Sequence, residues 1–317
     1  MDKTKKLTKR TDEDLKILQG LDLDLKIEIS KRRIEDWYQE FDGQVYVSFS
    51  GGKDSTVLLH LARAMYPEIP GVFADTGLEY PELREFVKTI SNITWLKPDM
   101  NFKQVINTYG YPIISKEQSA YIQEYRDTKS EKLKNIRWNG NKWKQGKISE
   151  KWKFLVDAPF KISDKCCDIM KKKPMAKYEK QTGRKPIVGT MACESSQRKI
   201  NWIKNGCNAF DAKRPISKPL SFWTEQDILA YIKKYDLQYA SVYGEIRKTP
   251  TGEWYTTKCD RTGCVFCGFG CQTETSPNRF QRLKETHPKL WEYCMRPIAQ
   301  GGLGMKIVLD YIGVPIE

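Results

Sequence analysis

Histidine is scarce in this sequence: among 317 residues there are only His60 and His287. Neither has a neighbour that suggests catalysis, since His60 falls in an apolar helical stretch and His287 precedes a proline. Long apolar runs are also missing. None approaches the roughly 20 residues of a membrane span, so no membrane partner is expected. The opening "MDKTKKLTKRTDEDLK" has no apolar core between its charges, which speaks against a secretory signal and predicts a cytoplasmic chain. No internal repeat is visible. Cysteine is present but odd in number, at nine. In a reducing compartment such thiols point to metal ligands or reactive groups rather than to a disulfide framework. The length suits one large α/β domain, or a domain with a smaller appendage.

The most informative stretch is "VSFSGGKDSTVLLHLA" at residues 47–62. Val45, Val47 and Phe49 alternate as in a strand, and Val57, Leu58, Leu61, Ala62 and Met65 recur at helical spacing, so the polar residues between them occupy a turn and a helix N-terminus. The first N–H groups of a helix have no intrahelical partner and carry partial positive charge, which suits them to phosphates. Gly51 and Gly52 permit close backbone approach, Lys53 adds a cation, and Ser50 and Ser55 add hydroxyl donors. The turn is built for a polyphosphate. It differs from the Walker A loop, which wants Gly at 47 and Ser or Thr at 54 where this chain has Val47 and Asp54.

Strands and helices alternate beyond that point. "GVFAD" and "ITWL" read as strands around the helical "PELREFVKTI", "PIVGT" at 186–190 reads as a buried strand, and "ESSQRKINWIK" opens a helix. This pattern predicts an α/β fold, a doubly wound parallel sheet whose ligands bind at the C-terminal strand ends. Asp75 and Thr76, at the end of "GVFADT", are then expected beside the phosphate turn. Thr224 and Asp227 have the spacing of a capping box. The expected organisation is a helical segment at 1–40, with Ile34, Trp37, Tyr38 and Phe41 as its apolar stripe before an Asp42–Gly43 turn. A nucleotide-binding α/β domain follows at 41–240, and a Cys-rich region at 241–317.

The formal net charge of +14 is concentrated. Half of it lies in a basic insertion at 126–153, where ten Lys or Arg oppose Asp127, Glu131 and Glu150. Trp138, Trp143 and Trp152 interleave with the cations, and Asn, Gly and Ser suggest partly irregular structure. Such a stretch can grip phosphates and stack bases, which makes DNA or tRNA a candidate partner. A solvated loop with its tryptophans packed on the body fits the same residues.

"SFSGGKDS" resembles the pyrophosphate loop of the PP-loop ATP pyrophosphatase superfamily. "FADTGLEYPE", "GTMACESSQR" and "KPLSFWTEQDILAYI" are similar in order and rough spacing to segments of its phosphoadenylylsulfate (PAPS) reductase-like branch, a resemblance that covers about residues 40–295. The resemblance implies an adenine nucleotide, ATP with Mg2+, whose pyrophosphate is cradled by Ser48, Ser50, Gly51, Gly52, Lys53, Asp54 and Ser55, with Asp54 touching magnesium. It further implies that Asp75, Thr76 and Gly189 line the nucleotide and that Glu194 and Arg198 lie near its phosphates. Lys53, Asp54 and Arg198 would carry the catalysis. Without the resemblance, Glu194 and Arg198 read as an ordinary surface i, i+4 pair.

Six cysteines fall in two groups. "KCCDIMKKKP" holds Cys166 and Cys167, and "KCDRTGCVFCGFGC" holds Cys259, Cys264, Cys267 and Cys271. Soft thiolates meeting in a fold favour zinc or an iron–sulfur cluster, and spacing alone leaves the ligand set open. The tandem pair followed by a distant Gly-Cys-x-x-Cys resembles the adenylylsulfate (APS) reductases that carry a [4Fe–4S] cluster. That resemblance implies Cys166, Cys167, Cys264 and Cys267 as ligands. Against it stands a structural Zn2+ knuckle made by Cys264 and Cys267 with the alternates Cys259 and Cys271. A redox-active CxxC and buried unliganded thiols also fit. Cys193, Cys207 and Cys294 stand alone and read as structural.

One departure limits the resemblance. Assimilatory APS and PAPS reductases attack with a cysteine in a Glu-Cys-Gly-Leu-His motif, and "LGMKIVLDYIGVPIE" contains none. The intact "SGGKDS" is also the ATP-cleaving form of the loop. The leading expectation is therefore an enzyme that cleaves ATP at the α-phosphate, adenylylates an acceptor and supports sulfur transfer of the thiolation or phosphorothioation type, with a sulfur donor or reductant protein as partner. A PAPS or APS reductase using another thiol is the alternative, and a non-catalytic nucleotide- or nucleic-acid-binding module is a third.

Overall fold

A computed structural model describes residues 10–317, so the reading of residues 1–9 lies outside the described residues. Ten strands are present among them: β1 Val45–Ser48, β2 Gly71–Ala74, β3 Ile93–Leu96, β4 Ile113–Ile114, β5 Lys185–Val188, β6 Asn208–Ala209, β7 Ile216–Ser217, β8 Ile246–Lys248, β9 Trp254–Thr256 and β10 Gly268–Phe269. The chain divides into two compact units. The first comprises Met1–Asp75, Glu79–Leu96 and Met175–Thr262, and the second Thr76–Leu78, Lys97–Pro174 and Gly263–Glu317.

The first unit holds a six-stranded sheet in the order β3-β2-β1-β5-β7-β6, parallel except for the β6–β7 edge pair. Val47 pairs with Gly71 on one side of β1 and with Ile187 on the other. The order reverses between β1 and β5, and at such a switch point the two connections leave in opposite directions and open a crevice at the C-terminal strand ends. The helix Lys53–Met65 follows β1 and buries Val57, Leu58, Leu61 and Ala62, the apolar spacing read from the sequence. Its neighbour in the core is the helix Leu23–Glu40, which buries Ile27, Ile34 and Trp37, the last stacked 5.1 Å from Phe210. The turn after it has Asp42 and Gly43 at φ +47° and +71°.

A buried ion pair ties the N-terminal helices to the rest of the first unit. Lys26, only 2% exposed, donates to both carboxylate oxygens of Asp227 at 2.8 and 2.7 Å and to the Gln19 carbonyl at 2.7 Å. Asp227 is also the acceptor of the capping box at Thr224, on the helix Glu225–Lys234. A buried ion pair cannot lose one partner without stranding the other, at a cost of about 3–5 kcal/mol, so this contact locks the N-terminal helices to the body.

The second unit contains the helices Phe102–Tyr109, Lys116–Asp127, Glu131–Asn139, Arg279–Thr286, Pro288–Met295 and Met305–Tyr311, and a small parallel pair in which Ile113 of β4 faces Gly268 of β10. Residues 97–174 and 263–317 fall in one compact unit although the first unit's chain separates them, and residues 241–262 fall in the unit that holds the sheet. The basic stretch is also more regular than its composition suggests. Ser130 caps the helix Glu131–Asn139, and a 3-10 segment spans Glu150–Asp157.

Candidate functional site

The turn between β1 and its helix is shaped by side-chain hydroxyls and by two glycines that cannot be replaced freely. Gly51 has φ +75°, and a Cβ there would lie 2.8 Å from Val87 Cγ2. Ser55 Oγ accepts from the Ser50 amide at 3.1 Å and donates to the Gly52 carbonyl at 2.9 Å, while Ser50 Oγ accepts from the Gly52 amide at 3.3 Å. Gly52 occupies the N-cap, where no side chain caps the helix. No side chain at the N-cap takes the amides of the first helical turn, although the Tyr243 hydroxyl accepts from the Lys53 amide, and such a helix start suits an anion. Gly189, just after β5, approaches so closely that a Cβ would meet the Asp54 carbonyl at 3.0 Å. Ser48 ends β1 beneath this turn.

Lys53 is 4% exposed and fully engaged. Its ammonium pairs with the Glu225 carboxylate, donates to the Asp260 carbonyl at 2.8 Å and stands 5.0 Å from the centre of the Tyr243 ring. Tyr243 Oη lies 2.8 Å from Thr262 Oγ1, which brings the segment around 260 over the glycines. Asp54 is the unsatisfied member of the site. Burial, and next the charge of Glu225, push its carboxyl up to about 6, against the opposing pull of Lys53, Arg261 and Arg198. Its Oδ1 is buried without a hydrogen-bond partner. A carboxylate so placed is stabilised either by a proton or by a cation.

Glu194 and Arg198 do pair, but not as an isolated surface couple. The Glu194 side chain is 7% exposed, and both Arg198 and Arg261 donate to it, one to each oxygen. It also accepts from the Met191 amide at 2.8 Å. Burial and the neighbouring Arg261 charge lower the pKa of Arg198, while Asp54 opposes them. Asp54, Glu194, Arg198, Glu225 and Arg261 thus form one charged cluster at the switch point of the sheet. A cavity of about 310 Å³ opens on it, lined by Cys193, Glu225, Trp254, Asp260 and Arg261 among others.

Asp75 is buried after β2; its Oδ2 accepts from Arg84 at 2.9 Å and its Oδ1 has no partner. Thr76 begins the second unit, where its Oγ1 accepts from the Leu78 amide at 3.2 Å. Four residues of the site lie outside the set that the sequence motifs single out. Glu225 sits in a recognised segment as a helix-capping neighbour, and Asp260, Arg261 and Thr262 occupy the spacer between cysteines. The one sequence signal for them is the adjacent acid and base in "CDRTG". Cys193 lines the same cavity, and its thiol donates to the Trp223 carbonyl at 3.5 Å.

In the second unit the tandem pair lies on a helical turn, Lys165–Cys167, that runs into a π-helical turn, Asp168–Lys172. Burial pushes the Cys166 thiol up, and Cys167, Cys264 and Cys267 add to the effect while Lys171 opposes it. Cys267 responds likewise to burial, Cys264 and Cys167. These thiols are near enough to raise the pKa of Cys166 and Cys267, and thiolates are the donors that a cluster or zinc would take. Among the described residues no three His, Cys, Asp or Glu side chains are closed around a metal position. Cys271 is buried, with its thiol on the Gly268 carbonyl at 3.0 Å; burial raises its pKa and Cys267 adds to the effect. Cys259 belongs to the first unit, its thiol on the Arg261 carbonyl at 2.9 Å.

Comparison with known proteins bears on this arrangement. The family model described as the phosphoadenosine phosphosulfate reductase domain matches residues 44–134 and 95–276. The phosphoadenosine 5'-phosphosulfate reductase of Vibrio parahaemolyticus is 25% identical over 253 residues, 78% of this chain and 80% of that protein. An uncharacterized protein of Methanocaldococcus jannaschii is 25% identical over 269 residues, 81% of this chain; the chain spans only 49% of that relative's length. Among solved structures, the U34-tRNA thiolase NcsA of Methanococcus maripaludis with its [4Fe–4S] cluster aligns over 93% of this chain and 83% of its own, at 15% identity and a TM-score of 0.35, a likeness too low to argue from. No helix of the described residues is long and apolar enough to cross a membrane.

Proposed function

Since the chain belongs to the phosphoadenosine phosphosulfate reductase domain family, in the PP-loop superfamily, we propose that it binds ATP with Mg2+ at the turn Ser50–Ser55, cleaves the bond between the α- and β-phosphates, and adenylylates an acceptor for sulfur transfer. The observation that carries this reading is the uncapped helix N-terminus beside Lys53 and the orphaned Asp54 oxygen. Polyphosphate oxygens would take the first-turn amides and replace Glu225 and the Asp260 carbonyl on the Lys53 ammonium. Asp54, unfavourable as a bare carboxylate, would hold the magnesium that travels with ATP. Attack of an acceptor oxygen on the α-phosphorus breaks its bond to the bridging oxygen, and the charge that develops on pyrophosphate is met by Lys53, by the amides and by Arg198. A sulfur nucleophile from a donor protein then displaces AMP from the activated acceptor. An iron–sulfur cluster, if held by Cys166, Cys167, Cys264 and Cys267, would supply a sulfur-binding or electron-transfer centre.

The acceptor in this reading is a nucleic acid, supported by the density of positive charge between 126 and 153. The curated relatives that are PAPS reductases favour a second reading, reduction of a sulfonucleotide by a thiol. Cys294 does not suit that role, because it is fully buried and burial raises its pKa. The test is product analysis. Pyrophosphate and AMP from MgATP support the first reading, and sulfite from APS or PAPS supports the second. Release of orthophosphate without AMP refutes cleavage at the α-phosphate.

A further inference from the structure

The basic stretch of the second unit is not uniformly available to a partner, and the structure separates its committed groups from its free ones. Arg126 spends its guanidinium on the carbonyls of Leu155, Val156, Ala158 and Phe160 at 2.5–3.0 Å. Arg137 is taken by Glu124 and the Gly146 carbonyl, and Lys147 and Lys153 by Glu150. Trp152 is 9% exposed. Trp138 is covered by Tyr125, with ring centres 5.4 Å apart, and by the Lys153 ammonium at 4.4 Å. Two of the three tryptophans are therefore packing residues, as the solvated-loop reading requires.

Trp143 is the exception. At 69% it is the most exposed of the large apolar side chains among the described residues. It stands at the tip of a turn that is fixed rather than loose. Asn141 Oδ1 accepts from the amides of Trp143 and Gln145 at 2.8 and 3.0 Å, and the Asn141 amide donates to the Gln145 carbonyl at 2.9 Å. Arg137 ties down Gly146, and the buried Ile148 donates to the Arg137 carbonyl at 2.7 Å. Gly140, Lys144 and Gly146 all adopt positive φ, at +92°, +57° and +72°. The Lys142 ammonium lies 5.0 Å from the Trp143 ring, and neither Lys142 nor Lys144 has a carboxylate partner among the described residues.

We propose that the turn at 140–146 is a prong for single-stranded nucleic acid, with Trp143 stacking on an unpaired base and Lys142 and Lys144 contacting the flanking phosphates. The proposal rests on the nucleic-acid acceptor of the preceding section and names the strand state that site takes. A rigid turn that holds an indole in water offers a π-face whose ordering cost is already met, and stacking needs only that face. A duplex would engage the lysines and leave the ring unused. A membrane surface is a poorer match, because between 126 and 153 Trp143 is the sole large apolar side chain left exposed, and one ring buries little area.

The test is titration of the full-length protein with mixed-sequence 12-nucleotide single strands of DNA and RNA at low salt. Trp143→Ala should weaken binding by about 5- to 150-fold and abolish the quenching of tryptophan fluorescence that accompanies it. Trp143→Phe should retain part of both. Lys142→Glu with Lys144→Glu should reduce the log–log salt slope by about 0.7 for each phosphate that is no longer neutralised. Unchanged thermal midpoints would show that these exposed substitutions leave the fold intact. Equal affinity of wild type and Trp143→Ala overturns the proposal, as does binding of duplex alone or of anionic phospholipid vesicles alone. Pyrophosphate release from MgATP, measured without any oligonucleotide, separates the two claims. If release occurs and single strands ignore Trp143, the prong falls; if strands bind through Trp143 without release, the nucleotide chemistry falls.

Discussion

Asp54→Asn provides a measure of how hostile the site is to an uncompensated carboxylate. In the folded protein the Asp54 carboxyl titrates at about 6 instead of the ordinary 3.8, chiefly through burial and next through Glu225. At about 1.4 kcal/mol per tenfold change in proton affinity, holding it ionised above pH 6 costs roughly 3 kcal/mol. The folded form binds the proton more tightly than the unfolded one, so the associated stability is fully present below about pH 4 and is lost as pH rises through about 6. Asparagine keeps the shape without the charge. Wild type and Asp54→Asn should therefore have similar stability near pH 4, and the variant should exceed wild type by up to about 3 kcal/mol near pH 8. The assay is urea or thermal unfolding of both proteins across that range without nucleotide. MgATP should narrow the gap at pH 8, because a bound cation neutralises the carboxylate of wild type only. The variant should also lose pyrophosphate release. A variant no more stable than wild type at pH 8 refutes the desolvation argument, and a variant that retains release refutes the role given to Asp54.

Three further outcomes follow from the same geometry. Lys53→Ala should abolish pyrophosphate release and also leave the Glu225 carboxylate without its buried cation; pyrophosphate assayed with MgATP reports the first effect and unfolding the second. Gly51→Ala should destabilise the protein by about 1–3 kcal/mol, read from unfolding midpoints, because the added methyl meets Val87 and the residue has positive φ. Protein prepared without oxygen should be brown, with a broad absorbance near 400 nm. Cys167→Ala and Cys264→Ala should bleach it and Cys271→Ala should not; one equivalent of zinc that depends on Cys259 and Cys271 would overturn that ligand set.

Whatever depends on a few neighbouring residues is legible in the sequence. The strand–turn–helix at 45–65, the strands "GVFA" and "ITWL", the Thr224 capping box and the Asp42–Gly43 turn each follow from side-chain periodicity or from hydrogen bonds that close within four residues. The α/β class can be read directly, and the glycines, lysine and hydroxyls of the turn at 50–55 carry their own chemistry, which is what makes it a candidate anion site. Tertiary structure alone decides how those groups are used. Lys53 finds Glu225 172 positions away and the Asp260 carbonyl 207 positions away, and no local pattern encodes either contact. Arg261 joins Glu194 and Arg198 only because the segment around 260 folds onto the end of β5. The pairing of β4 with β10 likewise joins segments more than 150 residues apart, and packing around Tyr125 and Glu150 leaves Trp143 rather than Trp138 or Trp152 in solvent. A side chain's chemistry is a property of the residue, whereas its burial, its partners and hence its charge state belong to the packed chain.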